Sequence, residues 1–356
     1  MPNLFEKQDI LNLSEQKLTD WFKTNKIALY HLKQIKKWIY IQNSKSFYEM
    51  TDISKKVREL LEKNFRIGSL EKSKIRKSKD GSKKYLFKLE DSNLIESVLI
   101  PEKDHYTLCI SSQAGCAQRC RFCQTAKLGF IRNLSKAEII SQILDIKTDL
   151  KKKQQLTNIV FMGMGEPLAN LSNVISALNT ITDSNTGLGF SKRRVTVSTC
   201  GIASNLKKFA QNTEARLAVS LNAADNKTRD MLMPINKKYP IETLIYACKN
   251  YPLKSRDRIT FEYVLLKNIN DSEKDAIKLI KLLNGVKGKV NLIPFNKYLQ
   301  SEFEASEPGT ILQFQKILSD NNITAIIRNS KGSDISAACG QLAVSSSAET
   351  GRNTLL

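Results

Sequence analysis

The strongest constraint on the fold is a rhythm that begins near residue 94. Short runs rich in β-branched and aliphatic residues recur: LIESVLI, TLCISS, NIVFMG, RVTVST, RLAVSLN, ITFEYVLL, KVNLIPF and ITAIIR. Amphipathic stretches lie between them, such as SKAEIISQILDIKTDL, where Ser135 is a candidate N-cap with Glu138 three residues on, a capping-box pattern. Strands alternating with helices call for a parallel sheet with right-handed crossovers. The number of repeats predicts an α/β fold with a full or partial (β/α) barrel. In such folds functional residues sit on the loops that leave the C-terminal ends of the strands.

Residues 1–90 read differently, as a small helical accessory domain ending in an extended piece. In HLKQIKKWIYIQ, Leu32, Ile35 and Ile39 share one helical face and Lys33 and Lys37 another. Trp21, Phe22 and Trp38 are expected to fill its core. The D-G pair in SKDGSKKYLFKLE signals a hairpin. A barrel over 91–343 and a flexible tail over 344–356 complete the expected organisation. A chain of 356 residues suffices for one large domain and a smaller one. No signal peptide begins it and no apolar run approaches the roughly 20 residues of a membrane span. A soluble, cytoplasmic protein with reduced cysteines is the expectation. The net charge is +21, and residues 1–90 hold 21 Lys/Arg against 11 Asp/Glu. Such an excess suits a phosphate-rich partner, although a lysine-rich surface alone explains charge equally well.

Seven cysteines occur in the chain, and three of them crowd into GCAQRCRFC as Cys116, Cys120 and Cys123, spaced C-x3-C-x2-C. They follow TLCISSQAG, so they sit on a loop leaving a strand. Thiolates suit zinc or iron–sulfur clusters. A structural zinc site wants four protein ligands, but no second cysteine pair is present, and neither His31 nor His105 stands in ligand spacing. Three cysteines on a [4Fe–4S] cluster leave one iron open to a small molecule. With Phe122 before the last cysteine, the pattern fits C-x3-C-x-aromatic-C of radical S-adenosylmethionine enzymes. That iron would chelate the amino and carboxylate groups of S-adenosylmethionine, and one-electron cleavage would yield a 5′-deoxyadenosyl radical. About 40 residues on, VFMGMGEPLAN ends a strand in glycines and Glu166, similar to that superfamily's element for the methionine ammonium.

Nearly the whole chain, from about residue 10 to 343, resembles the dual-specificity 23S rRNA/tRNA adenine-C2 methyltransferases. The stretches that carry the resemblance are SSQAGCAQRCRFCQTAKLGFIRNL, NIVFMGMGEPLANL, SKRRVTVSTCGI, INKKYPIETL, KVNLIPFN and DISAACGQLA. The resemblance implies a partial (β/α)6 barrel with an RNA-binding N-terminal domain. It implies Cys116, Cys120 and Cys123 as cluster ligands, and Gly165, Glu166, Ser198, Ser220, Leu221, Asn222 and Asn296 as S-adenosylmethionine contacts. It implies that Cys339 takes a methyl group by displacement. A second S-adenosylmethionine then makes the radical that abstracts hydrogen from the S-methyl, whose carbon adds to adenine. Cys109 resolves the adduct by a disulfide with Cys339, and Glu96 removes the ring proton. Implied partners are 23S rRNA, tRNA and an electron donor such as flavodoxin; the protein is expected to be a monomer away from membranes. Two positions depart from the pattern. Asn222 stands where histidine is common, and Cys200 where a small residue is common; Cys200 is given no role and Cys248 is read as core.

Adenine C2 offers no nucleophile to an ordinary methyl donor, which is why covalent and radical steps suit it. Methylation of C8 on the same rRNA nucleotide uses the same cluster and cysteine pair and is the alternative. Methylthiolation of tRNA would need a second cluster, and only four cysteines lie outside the triad. A zinc-binding RNA module predicts a colourless protein.

Overall fold

The computed structural model describes residues 7–151, 154–298 and 301–343, so the tail expected at 344–356 lies outside the described residues. Ten strands in that range form one sheet. In chain order they are β1 (Glu71–Lys77), β2 (Lys83–Lys88), β3 (Leu94–Pro101), β4 (Tyr106–Cys109), β5 (Leu156–Phe161), β6 (Val195–Thr199), β7 (Arg216–Ser220), β8 (Ile259–Leu265), β9 (Gly288–Pro294) and β10 (Ala325–Ile327). Spatial order follows chain order, from β1 at one edge to β10 at the other.

From β4 to β10 every neighbour is parallel, which is the expected series of strand–helix units. The helices of the crossovers include α5 (Lys136–Lys147), after α1 (Glu15–Thr24), α2 (Tyr30–Tyr40), α3 (Lys55–Asn64) and the short α4 (Gln124–Lys127). The capping box at the start of α5 is present: the Ser135 hydroxyl accepts from the Glu138 N–H, and Glu138 accepts from the Ser135 N–H. Strand alternation divides the side chains. Leu217 and Val219, or Phe261 and Tyr263, are buried under the helices. Arg216 and Ser220, or Thr260 and Glu262, face the other way, into the concave lumen.

One run breaks the alternation. LIESVLI becomes β3, but only four residues separate it from β4, too few for a helix, and the two pair as an antiparallel hairpin. The D-G hairpin also forms, between β1 and β2, and it extends the same sheet through β3. The sheet therefore runs continuously across residue 90.

Ahead of it, α1 to α3 pack around Leu18, Phe22, Ile35, Ile39, Phe47, Met50 and Leu61, all buried. Trp21 and Trp38 are only partly buried against this core. Trp21 meets Phe22 and Phe65 edge-on, whereas the Trp38 indole N–H donates to Asp52 at 2.6 Å, a polar anchor that keeps it at the rim. The helical module is fastened to α5 through Lys45 and Asp145 at 2.5 Å and the Asn43 amide to the Leu144 carbonyl at 2.9 Å. No helix among the described residues is long and apolar enough to cross a membrane.

Candidate active site at the barrel mouth

Register places the chemistry-bearing residues on one face. Paired residues point to the same side of a sheet. Leu86 pairs with Glu96, and Lys84 pairs with Val98, itself paired with Cys109, which pairs with Val160. Further along, Ser198 aligns with Ala218, and Ser220 with Glu262 and then Asn291. Glu96, Cys109, Ser198, Ser220, Glu262 and Asn291 thus all line the concave face, with the cysteine loop above it.

The loop carries Cys116, Cys120 and Cys123 between a short ribbon (Gln113–Gly115 with Phe130–Asn133) and α4. Cys116 is buried; Cys120 and Cys123 are half-buried. Burial pushes the Cys116 thiol up to about 12, raises Cys123, and raises Cys120 well above the usual thiol range. The charges of the other two thiols raise Cys120 further, and Cys123 raises Cys116. Three soft donors that resist joint deprotonation need a cation among them to become thiolates together. A polynuclear cluster that takes one thiolate per iron fits this donor set.

Glu166 is buried next to the triad, within electrostatic reach of Cys116 and Cys120. Its oxygens accept from the Leu168 N–H at 2.9 Å and the Cys200 N–H at 2.7 Å. Burial raises its pKa, and these donors oppose the rise. Gly165 has φ +97°, and a Cβ there would stand 2.7 Å from the Gln113 backbone nitrogen. Glycine is what lets the loop turn this tightly. Gln113 fixes it from below: its side-chain oxygen accepts from the Glu166 N–H at 2.8 Å, and its amide donates to Asn133 at 2.7 Å.

Ser198 and Ser220 stand with hydroxyls 3.5 Å apart at the strand ends, and Asn296 donates to the Cys339 carbonyl at 3.2 Å. Leu221 and Asn222 follow Ser220 directly, on the loop that leaves β7. Leu221 is fully buried; its N–H donates to the Glu262 carbonyl and its carbonyl accepts from Arg229. The Asn222 side chain accepts from the Val264 N–H at 2.8 Å and donates to the Met233 sulfur at 3.3 Å. Those two bonds use one oxygen lone pair and one N–H of the amide and leave one of each for a ligand. Cys248 is buried in its helix, as read.

Cys339 occupies the centre. It lies on a loop over the lumen, accessible to solvent yet crowded by protein, which pushes its thiol up to about 11. Glu262 and Cys123 raise it further and Arg328 lowers it. Cys109 feels the Cys339 charge in turn, second only to its own burial. One thiol is therefore within electrostatic reach of both the triad and the second cysteine. Glu96 is buried and pairs with Lys84 at 3.0 Å; burial raises its pKa, and Lys84 opposes the rise.

Arg229 and Glu262 escaped the sequence reading. Arg229 is completely buried and donates to the carbonyls of Leu221, Cys200 and Ser220 and to Asn236, at 2.7 to 3.2 Å. It ties together the loops after β6 and β7 and is a cation in reach of Cys120. Glu262, pushed up to about 7 by burial, accepts from Asn291 at 3.0 Å. Nothing local in NKTRDML or ITFEYVL marks either one.

Comparison with known proteins follows the same lines. The Radical SAM superfamily profile matches residues 110–280, and that of the ribosomal RNA large subunit methyltransferase N-terminal domain matches 8–67. The dual-specificity RNA methyltransferase RlmN of Desulfosudis oleivorans is 54% identical over 94% of this chain and 91% of its own. That of Geotalea uraniireducens is 48% identical over 95% and 97%. Among solved structures, a radical SAM methyltransferase from Sphaerobacter thermophilus superimposes with a TM-score of 0.88 at 36% identity, covering 94% of this chain and 98% of that one.

Proposed function

Because the chain belongs to the dual-specificity RNA methyltransferases of the radical S-adenosylmethionine superfamily, we propose that it methylates C2 of an adenosine in 23S rRNA, at the peptidyl-transferase centre, and of the adenosine beside the anticodon in tRNA. Membership makes it an S-adenosylmethionine-dependent RNA methyltransferase with a [4Fe–4S] cluster. Cys116, Cys120 and Cys123 would hold the cluster. Glu166, beside Gly165, would take the ammonium of S-adenosylmethionine, with Ser198, Ser220 and Asn296 around the rest of it. When bound, these groups supply the methyl, one electron and the hydrogen-abstracting radical.

The chain's residues do the remaining chemistry. Cys339, as thiolate, takes the methyl at Sγ by displacement. After that methyl loses a hydrogen atom, its carbon bonds to adenine C2 and joins the RNA to the chain through Sγ. Glu96 accepts the C2 proton as the adduct returns one electron to the one-electron carrier that supplied it. The Cys109 thiolate then attacks Cys339 Sγ; the S–S bond forms as S–CH2 breaks, and the carbon keeps the electron pair and takes up a proton to become the product methyl. A thiol reductant reopens the disulfide before the next turnover.

The observation that carries this reading is the position of Cys339, in electrostatic reach of Cys123 on one side and Cys109 on the other. The helical module, within the basic 1–90 region, serves as the RNA-binding part, and a small redox protein such as flavodoxin supplies the electron to a cytoplasmic monomer. Fragmentation mass spectrometry and NMR of nucleosides from reacted rRNA and tRNA test the assignment. The expected product is 2-methyladenosine from both RNAs; 8-methyladenosine from the rRNA would establish the resistance-type reaction instead.

A further inference from the structure

We propose that Lys84 is a positioning residue that holds the Glu96 carboxylate and the Cys339 loop in fixed relation during adduct resolution; this rests on the reading of Glu96 as the group that takes the C2 proton. Lys84 lies on β2, 6% exposed, although the protein is otherwise rich in surface lysine. Its ammonium stands 3.0 Å from Glu96 Oε1 and 3.0 Å from the Ser336 carbonyl, three residues before Cys339. The side chains of the pair are 7% and 5% exposed. Desolvating two charges offsets most of their attraction, so such a pair is weak support for stability alone. The pair is also incomplete, because among the described residues Glu96 Oε2 is buried without a hydrogen-bond partner. A structural ion pair would be expected to fill both oxygens; one left open on the lumen face is free to accept a proton.

The loop around Cys339 is gripped from two sides. The β1–β2 hairpin holds its first half: Asp80 accepts from the Gly332 N–H at 2.7 Å, and Asp334 accepts from the Ser78 hydroxyl at 2.6 Å and the Lys79 N–H at 3.1 Å. The cluster loop holds its second half: the Gln124 N–H donates to the Gly340 carbonyl at 2.8 Å, and the Thr125 hydroxyl to that of Leu342 at 2.6 Å. Between the grips, Ser336 and Gly340 have φ of +54° and +82°. Lys84 is the tie in the first grip that also touches Glu96. The Cys339 sulfur must serve methyl transfer, RNA attachment and closure onto Cys109. A cation shared by the loop and the base fixes the base relative to the backbone three residues before that sulfur.

The shared cation opposes the rise that burial imposes on the Glu96 carboxyl, helped by Arg76 on β1. Removing it leaves the carboxylate protonated more of the time, so resolution should slow at neutral pH and recover as pH rises.

The test uses the full-length, anaerobically reconstituted enzyme with Lys84→Met, Lys84→Gln, Lys84→Arg and Glu96→Gln, a tRNA transcript and an rRNA fragment. Cys339 methylation is read by mass, and the covalent protein–RNA adduct on denaturing gels between pH 6 and 9. Lys84→Met and Lys84→Gln should methylate Cys339 within about threefold of wild type but resolve the adduct on the order of tenfold more slowly at pH 7, with the deficit shrinking as pH rises. Lys84→Arg should restore most of the rate. Equal losses in methylation and resolution with no change in pH profile, or resolution at the wild-type rate, would overturn the proposal while leaving the base reading intact. Glu96→Gln should trap the adduct at every pH; if it resolves normally, the base reading fails and the proposal falls with it.

Discussion

Cys109→Ala enzyme is expected to stall after one round with RNA covalently attached, yielding about one adduct per chain and no multiple turnover. The variant keeps every group needed to methylate Cys339 and to add its carbon to adenine; what it lacks is the thiol that displaces the carbon. Burial holds the Cys109 thiol high, and the Cys339 charge holds it higher. In the adduct Cys339 is an uncharged thioether, so burial is what opposes ionisation of Cys109 at the step that needs it. Adduct resolution in wild type should accordingly speed up with rising pH, because a thiolate attacks and a thiol does not. Gel-resolved adduct, excised and mapped by mass, checks both points. Free methylated RNA released by Cys109→Ala at the wild-type rate would remove the disulfide from the mechanism.

A change of similar size is expected at the cluster. Cys120→Ala should purify colourless, with iron falling from about four per chain to near zero, and should methylate neither Cys339 nor RNA. Cys120 is raised first by its burial and then by Cys123, Cys116 and Glu166, with Arg229 as its compensating cation. The fold should survive: the core that carries the sheet excludes the triad, and Cys120 only borders a smaller cluster with Phe295 and Phe303. Iron analysis and the visible spectrum of reconstituted protein decide it. Retention of a full complement of iron by this variant would move the ligand set elsewhere.

What the sequence could convey depended on distance along the chain. Periodicity and capping are local, so the barrel strands and the Ser135–Glu138 box were readable, as was the triad, whose three cysteines share one loop. LIESVLI misled because a run of apolar residues does not disclose whether a helix or a tight turn follows it; the short link to β4 does. In KKYLFK, Lys83 and Lys84 are neighbours in a series that reads as solvated charge, yet period-two geometry sends them to opposite faces and buries Lys84 at 6% exposure. Glu96 likewise reads as a solvent-facing residue of an alternating strand and is 3% exposed. The nearness of Cys109 to Cys339, the stitching by Arg229 and the capture of the Asn222 amide by Val264 and Met233 are all contacts between distant segments. For the cysteine pair a family resemblance supplied the link; for Arg229 and Lys84 only the fold does.

The central claim is that Cys339 carries the methyl group before RNA receives it. It is tested most directly by mass spectrometry of anaerobically reconstituted wild-type and Cys339→Ala protein, with and without S-adenosylmethionine. The wild-type protein should be brown and gain the mass of one CH2, mapped to Cys339, and the brown variant should gain none. A brown wild-type protein that methylates RNA while Cys339 stays unmodified would preserve the radical chemistry and contradict the relay through this thiol.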